Sequence, residues 1–241
     1  MNIHFYDSLE STNNTAKEMV SSGAVHGTVI IADRQTGGRG RFGRSFFSPS
    51  GSGIYLSFIL DTDLFFPHSP ALSTVYTAVC VCEAIEILTD KEPQIKWVND
   101  IFIDGKKVCG ILVESITNSD GKRWLVVGIG LNFSVPAEGF PLELQNCAGA
   151  LFEGECPVVS KKRFIDEIVG RFLELNERYS REELIYVYKR RLMILGKEIS
   201  VVSPNGTFFA TAIDVDCNGG LVVRMHDGAM QTLSFGEISI A

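Results

Sequence analysis

The chain has 241 residues, of which 45% are apolar and 21% charged, and its net charge is −7. This length holds one sizeable core, or one large domain with a small companion. The acidic total excludes a protein that works mainly by covering duplex nucleic acid with positive charge. No run approaches ~20 apolar residues, which excludes a helical membrane span.

The first residues, MNIHFYDSLES, lack the basic and apolar segments of a signal peptide, so a cytoplasmic location is expected. Six cysteines, Cys80, Cys82, Cys109, Cys147, Cys156 and Cys217, contain no CxxC pair. They read as reduced structural thiols, and no metal-ligating set is identified. His4, His26, His68 and His226 are scattered and read as surface residues.

In chain order, Ile3 and Phe5 alternate with polar neighbours and predict a first strand. Ser11 or Thr12 caps a helix with Ala16, Met19 and Val20 on its apolar stripe, and Gly23 stops it. Residues 28–34 predict a buried strand. From its end leaves the stretch 35–46, QTGGRGRFGRSF, with four glycines and three arginines. Residues 54–60 (IYLSFIL) predict a strand, and 71–88 a central helix opened by Pro70. Residues 94–98 (QIKWV) form a strand ending in the turn residues Asn99 and Asp100. Hairpin turns near Asp104-Gly105 and Asp120-Gly121 separate long strands at 108–114 and 124–133.

Residues 134–159 read as an irregular connection. Helices follow from a Ser160 cap and over 181–193. After Gly196 the pattern changes to period two in four or five short strands, broken at Asn205-Gly206, 218–220 and Asp227-Gly228. The fold class is therefore α+β. A mixed, mainly antiparallel sheet with helices on one side occupies residues 1–193, and a small SH3-like barrel occupies 194–241.

No phosphate-binding P-loop, nucleophile elbow or zinc-protease motif occurs. The Gly/Arg stretch stands out as a strap lined with backbone N–H groups and with the permanent charges of Arg39, Arg41 and Arg44. Lys96 lies in an otherwise apolar strand, where a lysine either snorkels to the edge or faces an anion. Such a set suits activation of a carboxylate by a nucleotide. Fixed cations offset the repulsion between carboxylate and α-phosphate, and the carboxylate needs no histidine to become a nucleophile.

In their order along the chain, Ser11-Thr12-Asn13, Gln35 with GRGRFGR over 38–44, KWVND over 96–100, GILVE over 110–114 and GIGLN over 128–132 resemble the biotin protein ligase family. The likeness runs over essentially the whole chain and implies a class II synthetase-like fold. It also implies a two-step reaction: biotin and Mg²⁺-ATP give biotinyl-5′-AMP, then a lysine of a biotin carboxyl carrier protein takes the biotin. By position, Ser11, Thr12 and Gln35 line the ureido end of biotin, with Asn13 in the same motif. Arg39, Gly40 and Arg41 close over biotin and phosphates, and Lys96 holds the carboxylate. Arg44, Phe46 and Asn132 fall on the nucleotide side, and Gly110 and Gly130 pass beneath the ligand.

Two departures stand out. Val98 replaces the proline common in KWPND, and Phe46 stands where a tryptophan often stacks on adenine. The motifs begin at Ser11, which implies a short form without the N-terminal DNA-binding domain. Two other readings are a lipoate or octanoate transferase of the same superfamily and a non-catalytic nucleotide- or RNA-binding module. Strands near 108–133 are the expected edges if the protein forms a homodimer.

Overall fold

The computed structural model describes residues 2–64, 70–154, 157, 159–203 and 206–240. His68, Cys156 and Asn205 lie outside the described residues. In chain order the large unit contains β1 (Ile3–Leu9), α1 (Thr12–Ser21), β2 (Thr28–Gln35), β3 (Gly53–Asp61), α2 (Pro70–Leu88), β4 (Gln94–Lys96), β5 (Asp100–Ile103), β6 (Lys106–Thr117) and β7 (Arg123–Asn132). It closes with α3 (Lys161–Arg178) and α4 (Arg181–Lys189).

The strands build one seven-stranded sheet in the order β1-β2-β3-β7-β6-β5-β4. Only β1 and β2 run parallel, and the other pairs are antiparallel. The turns are those the sequence announces. At the β5–β6 hairpin Asp104 and Gly105 both take positive φ, 50° and 76°, as a tight two-residue turn requires.

Every residue of β3 is buried because both faces of the sheet are covered. On one face Phe58, Leu60, Val127 and Leu125 meet α2 and α3, with α4 behind. On the other, Ile30, Ile59 and Val126 meet Ala16 and Val20 of α1. This corrects the expectation of helices on one side only. The alternation of β3 gives α1 its own apolar seat, while α2, apolar on most of its circumference, takes the larger face. Helix α4 ends at Lys189, short of the expected 193, because the chain then adds to the edge of β4. Ile95 N–H donates to Arg191 O at 2.7 Å, and Met193 N–H to Ile95 O at 3.0 Å.

The proposed edge strands also need correction. β7 is interior, between β3 and β6, whereas β6 is paired with β5 only as far as Gly110, so residues 111–117 keep one edge without a partner strand. Of the described histidines, His226 is exposed, while His4 and His26 are partly buried and His26 Nδ1 accepts from Asp61 N–H at 3.1 Å. Cys80, Cys82 and Cys109 are buried free thiols; Cys147 and Cys217 are exposed.

After the large unit come β8 (Glu198–Ser203), β9 (Gly206–Val215), β10 (Leu221–Arg224), β11 (Met230–Leu233) and β12 (Glu237–Ile240). They form an antiparallel sheet in the order β11-β10-β9-β8-β12, a small SH3-like arrangement whose end strands do not pair to close a ring. Its inward residues Ile199, Val201, Ala210, Val223 and Ile238 belong to the same apolar cluster as the large core. The two units therefore share one packed interior.

Candidate active site

A cleft of about 150 Å³ opens where the start of α1, the Gly/Arg stretch, the β4–β5 turn and the middle of β6 and β7 converge on β12. Ser11, Thr12, Asn13, Gln35, Arg39, Gly40, Arg41, Arg44, Phe46 and Lys96 all line it. Asn132 does not: it is buried, and its amide donates to Gly149 O at 2.9 Å.

The start of α1 is capped in an unusual way. Ser11 is extended (φ −157°, ψ 132°), and its side chain makes no capping bond. The cap comes instead from the end of β2: Gln35 Oε1 accepts from Thr12 N–H at 2.9 Å. Gln35 Nε2 donates to Ser48 Oγ at 3.0 Å, and Ser48 donates to Phe46 O at 2.9 Å. One glutamine thus joins the helix, the sheet and the base of the strap. Deeper in, Asn13 Nδ2 donates to Glu114 Oε2 at 2.8 Å and Leu112 O at 3.3 Å, and Lys17 pairs with Glu114 at 3.0 Å. Ser57 Oγ, fully buried, lies 2.6 Å from Asn13 Oδ1 and 2.8 Å from Thr12 Oγ1.

The strap is a small hairpin rather than an open loop. Phe46 N–H donates to Gly38 O at 2.8 Å, Gly40 N–H to Arg44 O at 2.6 Å, and Arg39 bridges Ser45. Gly38 has no room for a side chain: a Cβ there would stand 2.5 Å from Phe46 O. The Phe46 ring packs across the paired glycines Gly110 and Gly130, where a Cβ on Gly130 would come within 2.7 Å of Phe46 Cε1. That contact anchors a segment whose composition predicts few apolar anchors. At the tip, exposed Phe42 stacks under the Arg41 guanidinium at 4.9 Å.

Arg41 Nη1 donates to Asn99 Oδ1 at 3.1 Å. Burial lowers the Arg41 pKa from its ordinary value, against the opposing fields of Asp100, Glu237 and Tyr188, and the guanidinium stays charged at any physiological pH. Arg44 pairs with Glu237 of β12 at 2.6 Å. The side chain of Lys96, half-buried at the end of β4, makes no hydrogen bond or ion pair among the described residues, although it lines the cleft. Its neighbours are firmly held. Trp97 Nε1 donates to Gly219 O at 2.9 Å, Tyr188 O–H to Val98 O at 3.1 Å, and Asn99 Nδ2 to Ile111 O at 3.1 Å and Asp100 Oδ1 at 2.9 Å. These bonds, not a proline, fix the turn around Val98.

Sequence reasoning missed Lys107, which lines the cleft paired with Asp100 at 2.7 Å, and Glu237 with its partner strand. It also missed Ser57, although a lone serine in IYLSFIL is a visible signal. Nothing local marks Glu237, because its partner is nearly two hundred residues away. The cleft gathers five cations, Arg39, Arg41, Arg44, Lys96 and Lys107, against two carboxylates, Asp100 and Glu237. In an acidic chain this is a local concentration of positive charge, chemically suited to an anion.

Comparison with known proteins agrees with this geometry. Residues 5–132 match the biotin/lipoate A/B protein ligase family, and residues 194–240 the biotin protein ligase C-terminal domain. The Bifunctional ligase/repressor BirA of Bacillus subtilis (strain 168) is 32% identical over 95% of this chain and 71% of its own length. A biotin–[acetyl-CoA-carboxylase] ligase of Mycobacterium tuberculosis is 27% identical over 95% of this chain and 85% of its own. Among solved structures, the biotin protein ligase of Aquifex aeolicus in complex with biotin and ATP is 27% identical, with a TM-score of 0.83 over 100% of this chain and 98% of that one. The cation-lined cleft, the seven-stranded sheet and the matched C-terminal unit place this chain in the biotin/lipoate A/B protein ligase family, on its biotin protein ligase branch.

Proposed function

We propose that this biotin ligase activates biotin with ATP as biotinyl-5′-AMP and passes the biotin to one lysine of a biotin carboxyl carrier protein. The observation that carries the reading is the convergence on one cleft of the strap arginines and Lys96, whose side chain has no partner among the described residues. Ser11, Thr12, Asn13 and Gln35 form its uncharged polar end, suited to a ureido group, and Lys96 meets the carboxylate. Arg39 and Arg41, with the backbone of Gly40, stabilise charge that spreads over the α-phosphate. Arg44 and Phe46 face the nucleotide. Asn132 supports that side from behind through Gly149. The carboxylate oxygen attacks the α-phosphorus, pyrophosphate leaves, and the acceptor amine then attacks the acyl carbon with release of AMP.

The cleft is smaller than the ~300–1,000 Å³ usual for ligand pockets. Phe46 lies across its glycine floor, so in this reading the strap lifts to admit nucleotide and closes over the adenylate. Mg²⁺ fits as an ion carried on the triphosphate. Among the described residues no three His, Cys, Asp or Glu side chains are grouped for a metal, and Asp100 and Glu237 are each ion-paired. Either carboxylate would hold Mg²⁺ only by releasing its cation. The ion supplies charge neutralisation, and positioning falls to the residues named.

In this reading residues 1–193 are the catalytic domain and 194–241 the small C-terminal one, joined at the cleft through the Arg44–Glu237 pair. Self-association would pair the edge of β6 beyond Leu112, residues 113–117, which has no neighbouring strand; Val113→Pro should then sediment as a smaller species than wild type, and equal sedimentation would count against that edge. The C-terminal match favours a biotin substrate over a lipoate or octanoate substrate. Incubation with biotin, ATP, Mg²⁺ and a carrier domain tests the transfer. Biotin is expected on the carrier's single target lysine and absent when that lysine is arginine; unmodified carrier in both arms contradicts the proposal.

A further inference from the structure

The hydroxyl of Ser57 carries one proton but touches two oxygens, Asn13 Oδ1 at 2.6 Å and Thr12 Oγ1 at 2.8 Å. Where that proton sits follows from the far end of the chain of contacts. Burial alone would raise the Glu114 pKa; hydrogen bonds from Asn13 and Lys17 and the charges of Lys17 and Arg39 outweigh it and hold the carboxyl below its ordinary value. Glu114 is therefore a pure acceptor. Asn13 must turn its NH₂ toward Glu114 and Leu112 O, which leaves only its carbonyl oxygen for Ser57. The Ser57 proton lies on that side.

Ser57 Oγ then meets Thr12 Oγ1 as an acceptor, and the Thr12 hydroxyl gives it the proton. The other candidate, Gln35 Oε1, is farther at 3.2 Å and already accepts from Thr12 N–H. Thr12 lines the cleft, and its oxygen has only lone pairs left for a ligand. Gln35 is fixed in the opposite sense: one Nε2 proton goes to Ser48 and the second has no acceptor among the described residues, so Gln35 offers a donor where Thr12 offers an acceptor.

We infer that Ser57 and Glu114, neither of which the proposed reaction uses, are positioning residues that lock Thr12 as a hydrogen-bond acceptor and so make the cleft select a ligand N–H at that point. The inference rests on the biotin reading above, since the ureido group supplies N–H beside C=O. Glu114 is not on the cleft wall; it reaches the ligand through Asn13 and Ser57, and its charge also acts on Arg39, so Ser57→Ala, which leaves that charge in place, isolates the hydrogen-bond route.

The test compares biotin with its two carbamate analogues, in each of which one ureido N–H is replaced by oxygen. Binding is measured by calorimetry on wild type, Glu114→Gln and Ser57→Ala. Glutamine can donate, so the shorter of the two bonds that orient Asn13 no longer demands its NH₂ and only the 3.3 Å bond to Leu112 O still does; alanine removes the acceptor for Thr12. At least one analogue should bind wild type about 100-fold more weakly than biotin, the scale of a buried acceptor forced against an acceptor. In both variants that ratio should shrink at least about tenfold, while the KM for ATP stays within about twofold and thermal unfolding remains cooperative. An unchanged ratio in a folded variant overturns the inference. So does a wild type that binds both analogues as tightly as biotin, which decides the matter even if neither variant folds. A wild type that binds no biotin at all refutes the functional reading instead.

Discussion

Lys96 and Arg41 occupy different structural situations, and the difference shapes what their loss should do. Lys96 is half-buried and has no protein partner among the described residues, so its charge is held for a ligand. Lys96→Ala should leave folding almost intact while lowering biotinyl-AMP formation at least ~100-fold, the scale of one lost preorganised charge contact. Arg41→Ala should cost the same in rate and also release Asn99 from its bond to Nη1. Pyrophosphate release under single turnover measures both, and near-normal rates would remove the assigned roles. At the glycines the prediction is asymmetric. A Cβ on Gly128 would collide with Asn13 Oδ1, which accepts from buried Ser57 while its NH₂ is held by Glu114, whereas the atoms nearest a Cβ on Gly130 belong to the Phe46 ring on the strap. Gly128→Ala should therefore destabilise by about 1–3 kcal/mol and raise the KM for biotin. Gly130→Ala should mainly alter the KM for ATP, with urea denaturation and initial rates as the readouts.

Among the elements, the strap from 35 to 46 was legible as an anion loop from its glycines and arginines, and its fold was not. Composition gives backbone freedom and charge; it does not reveal that Gln35 caps α1 or that Phe46 lies on Gly110 and Gly130, since both depend on partners brought in by the sheet. The β6–β7 hairpin and α2 were readable because their periodicity and turns are local. The extra seat for α1 was not, because IYLSFIL is apolar on both faces and does not say what covers each. The strap's outer tie is the Arg44–Glu237 pair, with the Arg44 side chain 67% exposed. An exposed pair of this kind contributes about 0–1 kcal/mol. Glu237→Gln should leave the melting temperature nearly unchanged yet speed proteolysis within 37–46. Biotinyl-AMP should slow that cleavage in wild type, and equal cleavage with and without it would argue against closure of the strap.

The whole molecule should lose stability in acid. Burial would raise Asp33 and Asp61, but hydrogen bonds and ion pairs, from Ser50 and Lys161 to the first and from Lys122 to the second, hold both below their ordinary 3.8. A carboxyl with a depressed folded pKa adds stability that is complete above the unfolded value and is lost as pH falls through the folded one. His26 acts in the same direction from a higher pH. Burial lowers it from 6.5, although Asp61 opposes, and its neutral Nδ1 accepts from Asp61 N–H. Protonating it therefore disfavours the fold below pH ~6.5. Melting temperature should be flat above pH 7, decline gently to pH ~4.5 and fall steeply below ~4; a rise on acidification from 7 to 4 would contradict these environments.

At this scale what is legible in the sequence is contiguous: the short motifs, and the change to period two after Gly196. The return of β12 to the cleft is not legible there, because that contact exists only once the small sheet docks on the shared core. The most direct test of the central claim is mass analysis after incubation of the protein with ATP, Mg²⁺ and biotin, octanoate or lipoate, with no acceptor present. Biotinyl-AMP and pyrophosphate should form with biotin alone; no adenylate with biotin, or an adenylate with octanoate or lipoate in its place, would contradict the account.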